Sequence, residues 1–420
     1  MIASIYRSEI KGKVIAPPSK SYTLRGLICA ALAKGNSEII QPLGSDDTEA
    51  AIAVLNKIGT RVLQEEGSWK VSGSYFTVPT EELYCRESAV TLRFMTAISS
   101  LIPGQSRLTS SPSLSRRPIE PLIQALKQLG IDCSQEKDGT IIVNESRSKG
   151  GIVCLPGNIS SQFVSALLLI SPLAEEGISI RLTTPLESQP YVLMTIECLK
   201  KYGVKVNYSG DFREFTTLKQ DYQPAKYRVE GDWSSASYLL ALGALAGSVE
   251  VANLNLESLQ GDKAILGLLG DMGASITTDK DSIIIKKSDL TAINTDLTDC
   301  TDLLPTVAIL AATAKGTSVL TGIERARLKE SDRPSALSEG LKKMGVEVTE
   351  ANNKLTITGP PAREAAIDTR GDHRIAMAFS LLGIKYGKTK IHDAECVSKT
   401  YPEYWDTLKS IGGEVKTNGK

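Results

Sequence analysis

The sequence predicts an α/β fold (α+β) of two domains, each built from three pseudo-symmetric βαβαββ repeats. Two observations carry this prediction. The chain has 420 residues, too many for one compact core. Glycines that end apolar, helix-like runs and precede short β-rich runs also recur 69 to 73 residues apart, at Gly35, Gly104, Gly177, Gly247, Gly316 and Gly387.

A second glycine marks the end of another helix about halfway through each repeat, at Gly59, Gly130, Gly203, Gly273, Gly345 and Gly412. A strand follows each of these glycines, and the fuller copies continue into a hairpin, as in 275–287 and 346–358. Since two separate helix ends keep the same interval, chance periodicity is a poor explanation of the pattern.

Six repeats over two domains suggest three repeats in each. The chain is expected to cross between domains near Lys13 to Ile15 and near Pro224 to Arg228, which gives one domain of 14–226 and another of 1–13 with 227–420. The N-terminal strand joins the second half in this prediction, because a chain that leaves and returns at one hinge crosses there twice.

The composition limits the possible partners. Forty-eight basic residues balance forty-eight acidic ones, so no overall field favours nucleic acid or an anionic membrane. Seven scattered cysteines without C-x-x-C spacing and only two histidines argue against structural zinc and a disulfide framework. No signal peptide or membrane span is recognisable in the sequence. We expect a cytoplasmic monomer that acts on small molecules.

The stretch from Pro17 to Arg25 combines a helix start with two cations. Ser19 or Ser21 can cap the helix, while Lys20 and Arg25 lie where the helix dipole disfavours positive charge. Backbone N–H groups, a hydroxyl and two cations at one helix end suit a multiply charged anion such as phosphate. Taken alone, the stretch fits a solvated helix start equally well.

The equivalent helix starts of the other repeats are also polar, and pseudo-symmetry predicts that they converge on one surface. Their side chains suit hydrogen bonding to a polar ligand, except that the fourth start could be only a capped helix and is given no role. The starts carry Lys20, Ser21 and Arg25; Glu87, Ser88 and Arg93; Ser160, Ser161 and Gln162; Ser234 and Ser235; Asp302; His373 and Arg374.

Three connections add further charge. Arg116 and Arg117 precede a proline-started helix, the run from Arg325 to Arg333 precedes another, and Lys399 lies near the end of the chain. A dense charge run alone is usually a solvated loop, and Asp332 also suits an ordinary helix cap. Basic residues at several corresponding places favour a shared anion site.

These motifs, in this order, resemble the 5-enolpyruvylshikimate-3-phosphate synthase family from about residue 13 to 408. The resemblance implies an inside-out α/β barrel in each domain, with the active site in an interdomain cleft that closes on substrate. The motifs are PSKS with Arg25, SRRP, NISSQ, SQPY, Asp302, KESDR, GDHR and SKTYPEYW.

The implied reaction transfers the enolpyruvyl group of phosphoenolpyruvate to the 5-hydroxyl of shikimate 3-phosphate and releases phosphate, with no metal or organic cofactor. The resemblance assigns shikimate 3-phosphate to Ser21, Arg25, Ser160, Ser161, Ser188 and Tyr191. It assigns phosphoenolpyruvate to Lys20, Arg117, Gln162, Arg333, Arg374 and Lys399, with Lys329 bordering both.

The chemistry needs a base for the 5-hydroxyl proton and an acid for the methylene carbon. Asp302 is the candidate base and Glu330 the candidate acid, and Lys20 could stabilise the leaving phosphate. Asp302 also suits a first-turn carboxylate that only favours the helix dipole. Lys329 and Arg333 favour the charged form of Glu330, so desolvation must compensate if Glu330 is to carry a proton.

Two departures from the family pattern stand out. Glu87, Ser88, Ala89 and Val90 replace the usual Asn-Ser/Ala-Gly-Thr, which predicts weak inhibition by glyphosate and leaves Glu87 without a binding role. Arg325 replaces an Asn that usually contacts the shikimate phosphate, and it stays outside the main set.

Two rival functions fit part of the pattern. The sister enzyme that acts on a UDP-amino sugar shares the fold, but it typically carries a reactive cysteine, and here no cysteine lies between Cys85 and Cys133. A ring of six repeats could instead encircle DNA as a sliding clamp. That function needs a basic lining, which the zero net charge and the carboxylates of Asp302 and Glu330 disfavour.

Overall fold

The computed structural model describes residues 1–73, 75–145, 148–280, 282–361 and 363–419. The chain divides into two compact units. The continuous unit is Pro18–Glu230, and the discontinuous unit is Met1–Pro17 with Gly231–Lys420. The crossing points expected from the sequence, after residues 13 and 226, lie four residues earlier than these two.

The strands begin and end as follows: β1 (Ile2–Ile5), β2 (Ile10–Ile15), β3 (Gly35–Ile40), β4 (Arg61–Glu65), β5 (Ser68–Gly73), β6 (Leu83–Tyr84), β7 (Ser106–Thr109), β8 (Cys133–Gln135), β9 (Ile141–Val143), β10 (Gly151–Leu155), β11 (Ile178–Leu182), β12 (Asn207–Tyr208), β13 (Glu214–Thr217), β14 (Lys226–Arg228), β15 (Gly247–Ala252), β16 (Ser275–Thr278), β17 (Ser282–Lys286), β18 (Asn294–Asp296), β19 (Thr317–Thr321), β20 (Glu347–Ala351), β21 (Lys354–Thr358), β22 (Ala366–Ile367), β23 (Thr389–His392) and β24 (Val415–Asn418).

The α-helices are α1 (Lys20–Leu32), α2 (Asp46–Lys57), α3 (Ala89–Ile98), α4 (Pro112–Ser115), α5 (Glu120–Gln128), α6 (Ser161–Ile170), α7 (Gln189–Lys201), α8 (Trp233–Ala246), α9 (Ile265–Asp271), α10 (Leu304–Thr313), α11 (Arg333–Lys343), α12 (His373–Tyr386) and α13 (Tyr404–Ser410). Short 3-10 turns occur at Ser99–Leu101, Ser171–Leu173, Gly261–Ala264, Thr301–Leu303, Glu324–Leu328 and Ala394–Lys399.

The described strands pair into six four-stranded sheets that share one pairing pattern. An edge strand runs parallel to a central strand, and the other side of the central strand pairs with an antiparallel hairpin or its equivalent. The sheet β10-β11-β13-β12 is an example, with β10 parallel to β11 and β13 antiparallel to both β11 and β12. This repeated pattern confirms the predicted α/β fold of βαβαββ units.

Three sheets take a strand from a distant part of the chain. In the continuous unit, β14 follows the third repeat but runs parallel to β3 of the first. In the discontinuous unit, β2 runs parallel to β15 of the fourth repeat, and β1 lies between β23 and β24 of the sixth. Each unit therefore closes on itself through strands near its ends.

The helices lie inside each unit, and the sheets lie outside them. In the continuous unit α6 packs against α3 and α7, and in the discontinuous unit α8, α10 and α12 pack on one another. These helices are apolar on nearly every side, which fits a fully buried position. The strands alternate instead, as in β17, where Ile283 and Ile285 are buried and their neighbours are half-buried or exposed.

The glycine that ends α8 shows why the repeat needs a residue without a side chain at this point. A Cβ atom on Gly247 would lie 1.8 Å from the carbonyl oxygen of Ile10. The glycine therefore lets β15 begin directly against β2, with Gly247 paired to Ile10. Among the described residues, no helix is long and apolar enough to cross a membrane.

Candidate active site

In the discontinuous unit a single arginine joins three carboxylates. Arg333 is the first residue of α11, and its side chain is 1% exposed. Its Nη1 lies 2.7 Å from Asp302 Oδ1, its Nη2 lies 2.7 Å from Glu330 Oε2, and its Nε lies 2.9 Å from Asp372 Oδ2. The rigid guanidinium plane therefore fixes the two candidate acid–base residues, Asp302 and Glu330, relative to each other.

Asp302 lies in the 3-10 turn before α10 and has two further cationic neighbours. Lys329 Nζ lies 3.3 Å from its Oδ1, and Arg374 Nη2 lies 3.3 Å from its Oδ2. Burial opposes ionisation of this carboxyl, but the charges of Arg374, Lys329 and Arg333 outweigh burial and hold its pKa well below the usual range. Asp302 is therefore a carboxylate, able to accept a hydrogen bond or a proton.

The cations of this unit are partly or wholly withdrawn from water. Lys329 keeps 30% of its side chain exposed, and its partial burial lowers its pKa, although the charge of Asp302 opposes that shift. Arg374, in the first turn of α12, is buried. Lys399 ends the 3-10 turn Ala394–Lys399 and is also buried. Cations in such positions interact strongly with an anionic ligand, because little water screens them.

Asp372 is a site residue that the sequence interpretation missed. Its side chain is fully buried and caps α12 by accepting a hydrogen bond from the Arg374 backbone N–H at 2.9 Å. It also accepts from Ser331 Oγ at 3.0 Å and from Arg333. An aspartate directly before a helix is a common N-cap, so the GDHR motif carried a signal for this role.

The remaining charges of the connection before α11 have structural partners. Asp332 caps α11 by accepting from the Ser335 N–H at 3.1 Å, as the alternative interpretation of this residue proposed. Arg327 Nη1 binds Asp332 and also Glu350 Oε1 at 2.7 Å. Arg325 Nη2 donates to the carbonyl oxygen of Thr298 at 2.5 Å.

In the continuous unit the first helix start pairs its lysine with a carboxylate. Lys20 Nζ lies 2.8 Å from Oδ2 of Asp47, in the first turn of α2, and both side chains are largely withdrawn from solvent. Of the two candidate caps, Ser19 is the one used, because its Oγ accepts from the Tyr22 N–H at 3.4 Å. The Ser21 hydroxyl is not the cap of this helix.

Arg25 connects Ser21 and Tyr191, both predicted to bind the same substrate. Its Nη1 donates to the Ser21 carbonyl and its Nη2 to the Tyr191 carbonyl, each at 3.0 Å. Its Nε donates to Thr195 Oγ1 at 2.8 Å. Ser188, the residue before α7, has a left-handed backbone with φ 53° and is buried. The first and third repeats thus meet around one buried guanidinium.

Arg93 plays a similar part for the second and third repeats. The sequence interpretation named it among the polar helix starts but assigned it to neither substrate. Its Nη1 lies 2.8 Å from Gln162 Oε1 and 3.2 Å from Ser160 Oγ, and its Nη2 donates to the Pro118 carbonyl at 3.0 Å. Arg117 precedes Pro118, so Arg93 ties the SRRP segment to the start of α6. Its position was the available signal. Arg93 follows the serine cap Ser88 by five residues, much as Arg25 follows the serine cap Ser19 by six.

Ser160, Ser161 and Gln162 form the start of α6. Ser160 caps the helix by accepting from the Gln162 N–H at 3.3 Å, Ser161 is buried and Gln162 is half-buried.

Glu87 has hydrogen-bond partners that explain why a carboxylate occurs at this position. Its carboxylate accepts hydrogen bonds from Ser111 Oγ and, at 2.6 Å, from Ser113 Oγ. Ser111 directly precedes α4 and Ser113 lies within it, and α4 leads directly to Arg116 and Arg117. Glu87 therefore fixes the position of the residues that directly precede the SRRP segment. Among the described residues, no three His, Cys, Asp or Glu side chains are grouped so that they could hold a metal ion.

Comparison with known proteins gives a consistent result. The family model described as EPSP synthase (3-phosphoshikimate 1-carboxyvinyltransferase) matches residues 6–408. A curated 3-phosphoshikimate 1-carboxyvinyltransferase of Dehalococcoides mccartyi is 48% identical over 408 residues, which covers 96% of each chain. One of Methanocaldococcus jannaschii is 40% identical and covers 97% of each chain.

Solved structures agree on the fold. EPSP synthase from Acinetobacter baumannii has a TM-score of 0.83 at 26% identity, covering 99% of this chain and 100% of that one. The enolpyruvyl transferase NikO from Streptomyces tendae has a TM-score of 0.81 at 17% identity, covering 100% of this chain and 99% of its own, a likeness of fold alone. With the family model and the curated relatives spanning nearly the whole chain, this protein belongs to the EPSP synthase family.

Proposed function

We propose that this chain is a 3-phosphoshikimate 1-carboxyvinyltransferase, which joins the enolpyruvyl group of phosphoenolpyruvate to the 5-hydroxyl of shikimate 3-phosphate and releases phosphate. Membership of the family supports the reaction. The observation that carries the mechanism is the cluster in which Arg333 binds both Asp302 and Glu330. In that cluster the candidate base, Asp302, and the candidate acid, Glu330, both bind the guanidinium of Arg333.

Both substrates are multiply charged anions, which accounts for the buried cations of a protein with no net charge. Shikimate 3-phosphate is assigned to polar residues of the continuous unit, namely Ser21, Arg25, Ser160, Ser161, Ser188 and Tyr191. Phosphoenolpyruvate is assigned to Lys20, Arg117, Gln162, Arg333, Arg374 and Lys399, with Lys329 bordering both.

The first step forms a tetrahedral adduct. The 5-hydroxyl oxygen bonds to C2 of phosphoenolpyruvate and gives its proton to Asp302. Glu330, which this step requires in its protonated form despite its contact with Arg333, delivers a proton to the methylene carbon C3. In the second step the C2–O bond to phosphate breaks, and C3 returns a proton to the Glu330 carboxylate as the double bond forms again. Lys20 stabilises the negative charge on the departing phosphate.

The cations around Asp302 constrain the timing of the first proton transfer. Because Arg374, Lys329 and Arg333 hold the pKa of Asp302 low, its carboxylate is a weak base towards a free alcohol. The hydroxyl becomes strongly acidic once its oxygen bonds to carbon. The proton therefore moves to Asp302 as the carbon–oxygen bond forms, and not before it.

The rival functions have less support. The family model and the curated relatives that span this chain are described as EPSP synthase and 3-phosphoshikimate 1-carboxyvinyltransferase, which favours the main reaction over transfer to a UDP-amino sugar and over a DNA-encircling ring. A cytoplasmic location remains our proposal, and it is supported by the scattered cysteines, all of which are free thiols. A monomeric state is also proposed, and the cysteines do not bear on it.

Phosphate release from purified protein tests the function. We expect release only when phosphoenolpyruvate and shikimate 3-phosphate are both present, and about 10²- to 10⁴-fold slower release from Asp302→Ala. Asp299→Ala is the matched control, because Asp299 is an exposed aspartate three residues earlier, and it should keep the wild-type rate. Release from phosphoenolpyruvate alone would identify a phosphatase instead.

A further inference from the structure

A buried carboxyl group that interacts electrostatically with Asp302 has no place in the mechanism above. Asp262 belongs to the 3-10 turn Gly261–Ala264 and is 2% exposed. Its Oδ2 accepts a hydrogen bond from Ser234 Oγ, at the start of α8. Among the described residues, its Oδ1 has no hydrogen-bond partner.

The surroundings of Asp262 place it within the electrostatic field of the active-site cluster. The turn that carries it packs on α8, and α8 also packs on the turn Thr301–Leu303 that carries Asp302. The charged and titratable groups that interact electrostatically with Asp262 are Asp302, Arg374, Asp232 and the Cys300 thiol. Asp262 thus has two acidic neighbours and one cationic neighbour.

The environment favours the protonated form of Asp262. An ionised carboxylate with one buried oxygen left without a partner carries an unrelieved desolvation penalty. Burial and the negative charge of Asp302 raise the pKa of Asp262 to about 7, while Arg374 and the hydrogen bond from Ser234 oppose that rise. Asp262 therefore changes charge near neutral pH, and Asp302 does not.

We propose that Asp262 is a positioning residue of the reaction, whose ionisation sets how strongly Asp302 attracts the substrate proton. This inference rests on the proposed function of Asp302 as the base. When Asp262 is neutral, the surrounding cations act on Asp302 alone and keep it a weak base. When Asp262 loses its proton to solvent, a second negative charge raises the proton affinity of Asp302. The fourth repeat, whose helix start carries Ser234, thereby contributes to the site.

The pH dependence of kcat tests this proposal. In the wild type, kcat should rise by about three- to tenfold as Asp262 ionises around pH 7, since a nearby charge changes the strength of a general base by this order. Asp262→Asn stays neutral at every pH. Its kcat should remain at the low-pH level of the wild type and should lack the step.

A second variant addresses the same proton without removing the carboxyl group. Ser234→Ala loses the hydrogen bond that favours ionised Asp262, so the step should move by about one unit to higher pH. Ser248→Ala, a half-buried serine on β15, is the control and should keep the wild-type profile. If Asp262→Asn does not fold, the shift in Ser234→Ala decides the question.

The outcomes separate this inference from the function on which it rests. Wild-type activity with superimposable profiles in both variants, or a loss in Asp262→Asn that is equal at every pH, would overturn the role of Asp262 alone. A wild type that never consumes both substrates would overturn the proposed function, and this inference with it.

Discussion

Arg333 Nη1 lies 2.7 Å from Asp302 Oδ1, and the same guanidinium binds Glu330 and Asp372 through its other nitrogens. Three carboxylates in one buried place would repel one another without this cation. The arginine therefore has two consequences that can be measured separately, one for the stability of the discontinuous unit and one for the geometry of the acid–base pair.

Replacing Arg333 by glutamine should destabilise the protein strongly. The change leaves Asp302, Glu330 and Asp372 without their shared partner, and removing one member of a buried ion-pair network costs about 3–5 kcal/mol. Urea unfolding at neutral pH measures this free energy. Arg370→Gln is the matched control, because Arg370 is 36% exposed and pairs with Glu339 near the surface, so it should cost less than about 1 kcal/mol. Equal losses in both variants would contradict the structural role of Arg333.

Asp262 should also make stability depend on pH. Its pKa is about 7 in the folded protein and about 3.9 in an unfolded chain, so between these values the folded state holds one more proton. Its contribution to the free energy of unfolding is complete below about pH 4 and falls by up to about 1.4 kcal/mol per unit as the pH rises to 7. Urea unfolding of the wild type and Asp262→Asn across this range isolates the effect. A difference between them that stays constant with pH would contradict it.

Glu87→Gln should weaken the use of phosphoenolpyruvate more than that of shikimate 3-phosphate. The carboxylate holds Ser111 and Ser113 ahead of Arg117, and loss of its charge weakens both hydrogen bonds by a total of about 1–2 kcal/mol. We expect the KM for phosphoenolpyruvate to rise by about 5- to 30-fold, with a smaller change for the other substrate. Ser115→Ala, in the same short helix, is the control. Equal increases in both KM values would argue against a specific role.

Glyphosate should inhibit the protein weakly, and Ala89→Gly should tighten that inhibition. Ala89 is the first residue of α3 and adds a methyl group where the family usually has glycine. One extra methyl in a fitted site changes binding by about 10- to 200-fold. Steady-state inhibition against varied phosphoenolpyruvate gives the inhibition constants of both proteins. Tight competitive inhibition of the wild type would refute the prediction.

The repeats were predictable from the sequence because they depend on local chemistry. Gly247 ends an apolar helix and must sit against Ile10, so both the pattern and the glycine are visible in the chain. Helix starts were predictable for the same reason, since polar residues cap them. The choice between Ser19 and Ser21 at α1 needed the structure, and so did the Asp372 cap of α12.

The partners of buried charges were harder to predict. Arg93 meets Gln162 sixty-nine positions later, and Arg333 meets Asp372 thirty-nine positions later. Such pairs depend on which helix ends face one another within a unit, and sequence spacing alone does not state that. Asp262 gave even less signal, because its significance comes from a missing hydrogen bond and from the charge of Asp302.

The most direct test of the central claim follows both substrates by phosphorus NMR in the wild type and in Asp302→Asn. The wild type should consume phosphoenolpyruvate and shikimate 3-phosphate in equal amounts, forming one inorganic phosphate and one new phosphate monoester, and Asp302→Asn should do so about 10²- to 10⁴-fold more slowly. Loss of phosphate from phosphoenolpyruvate without change in the other substrate, or equal rates in the two proteins, would contradict the account.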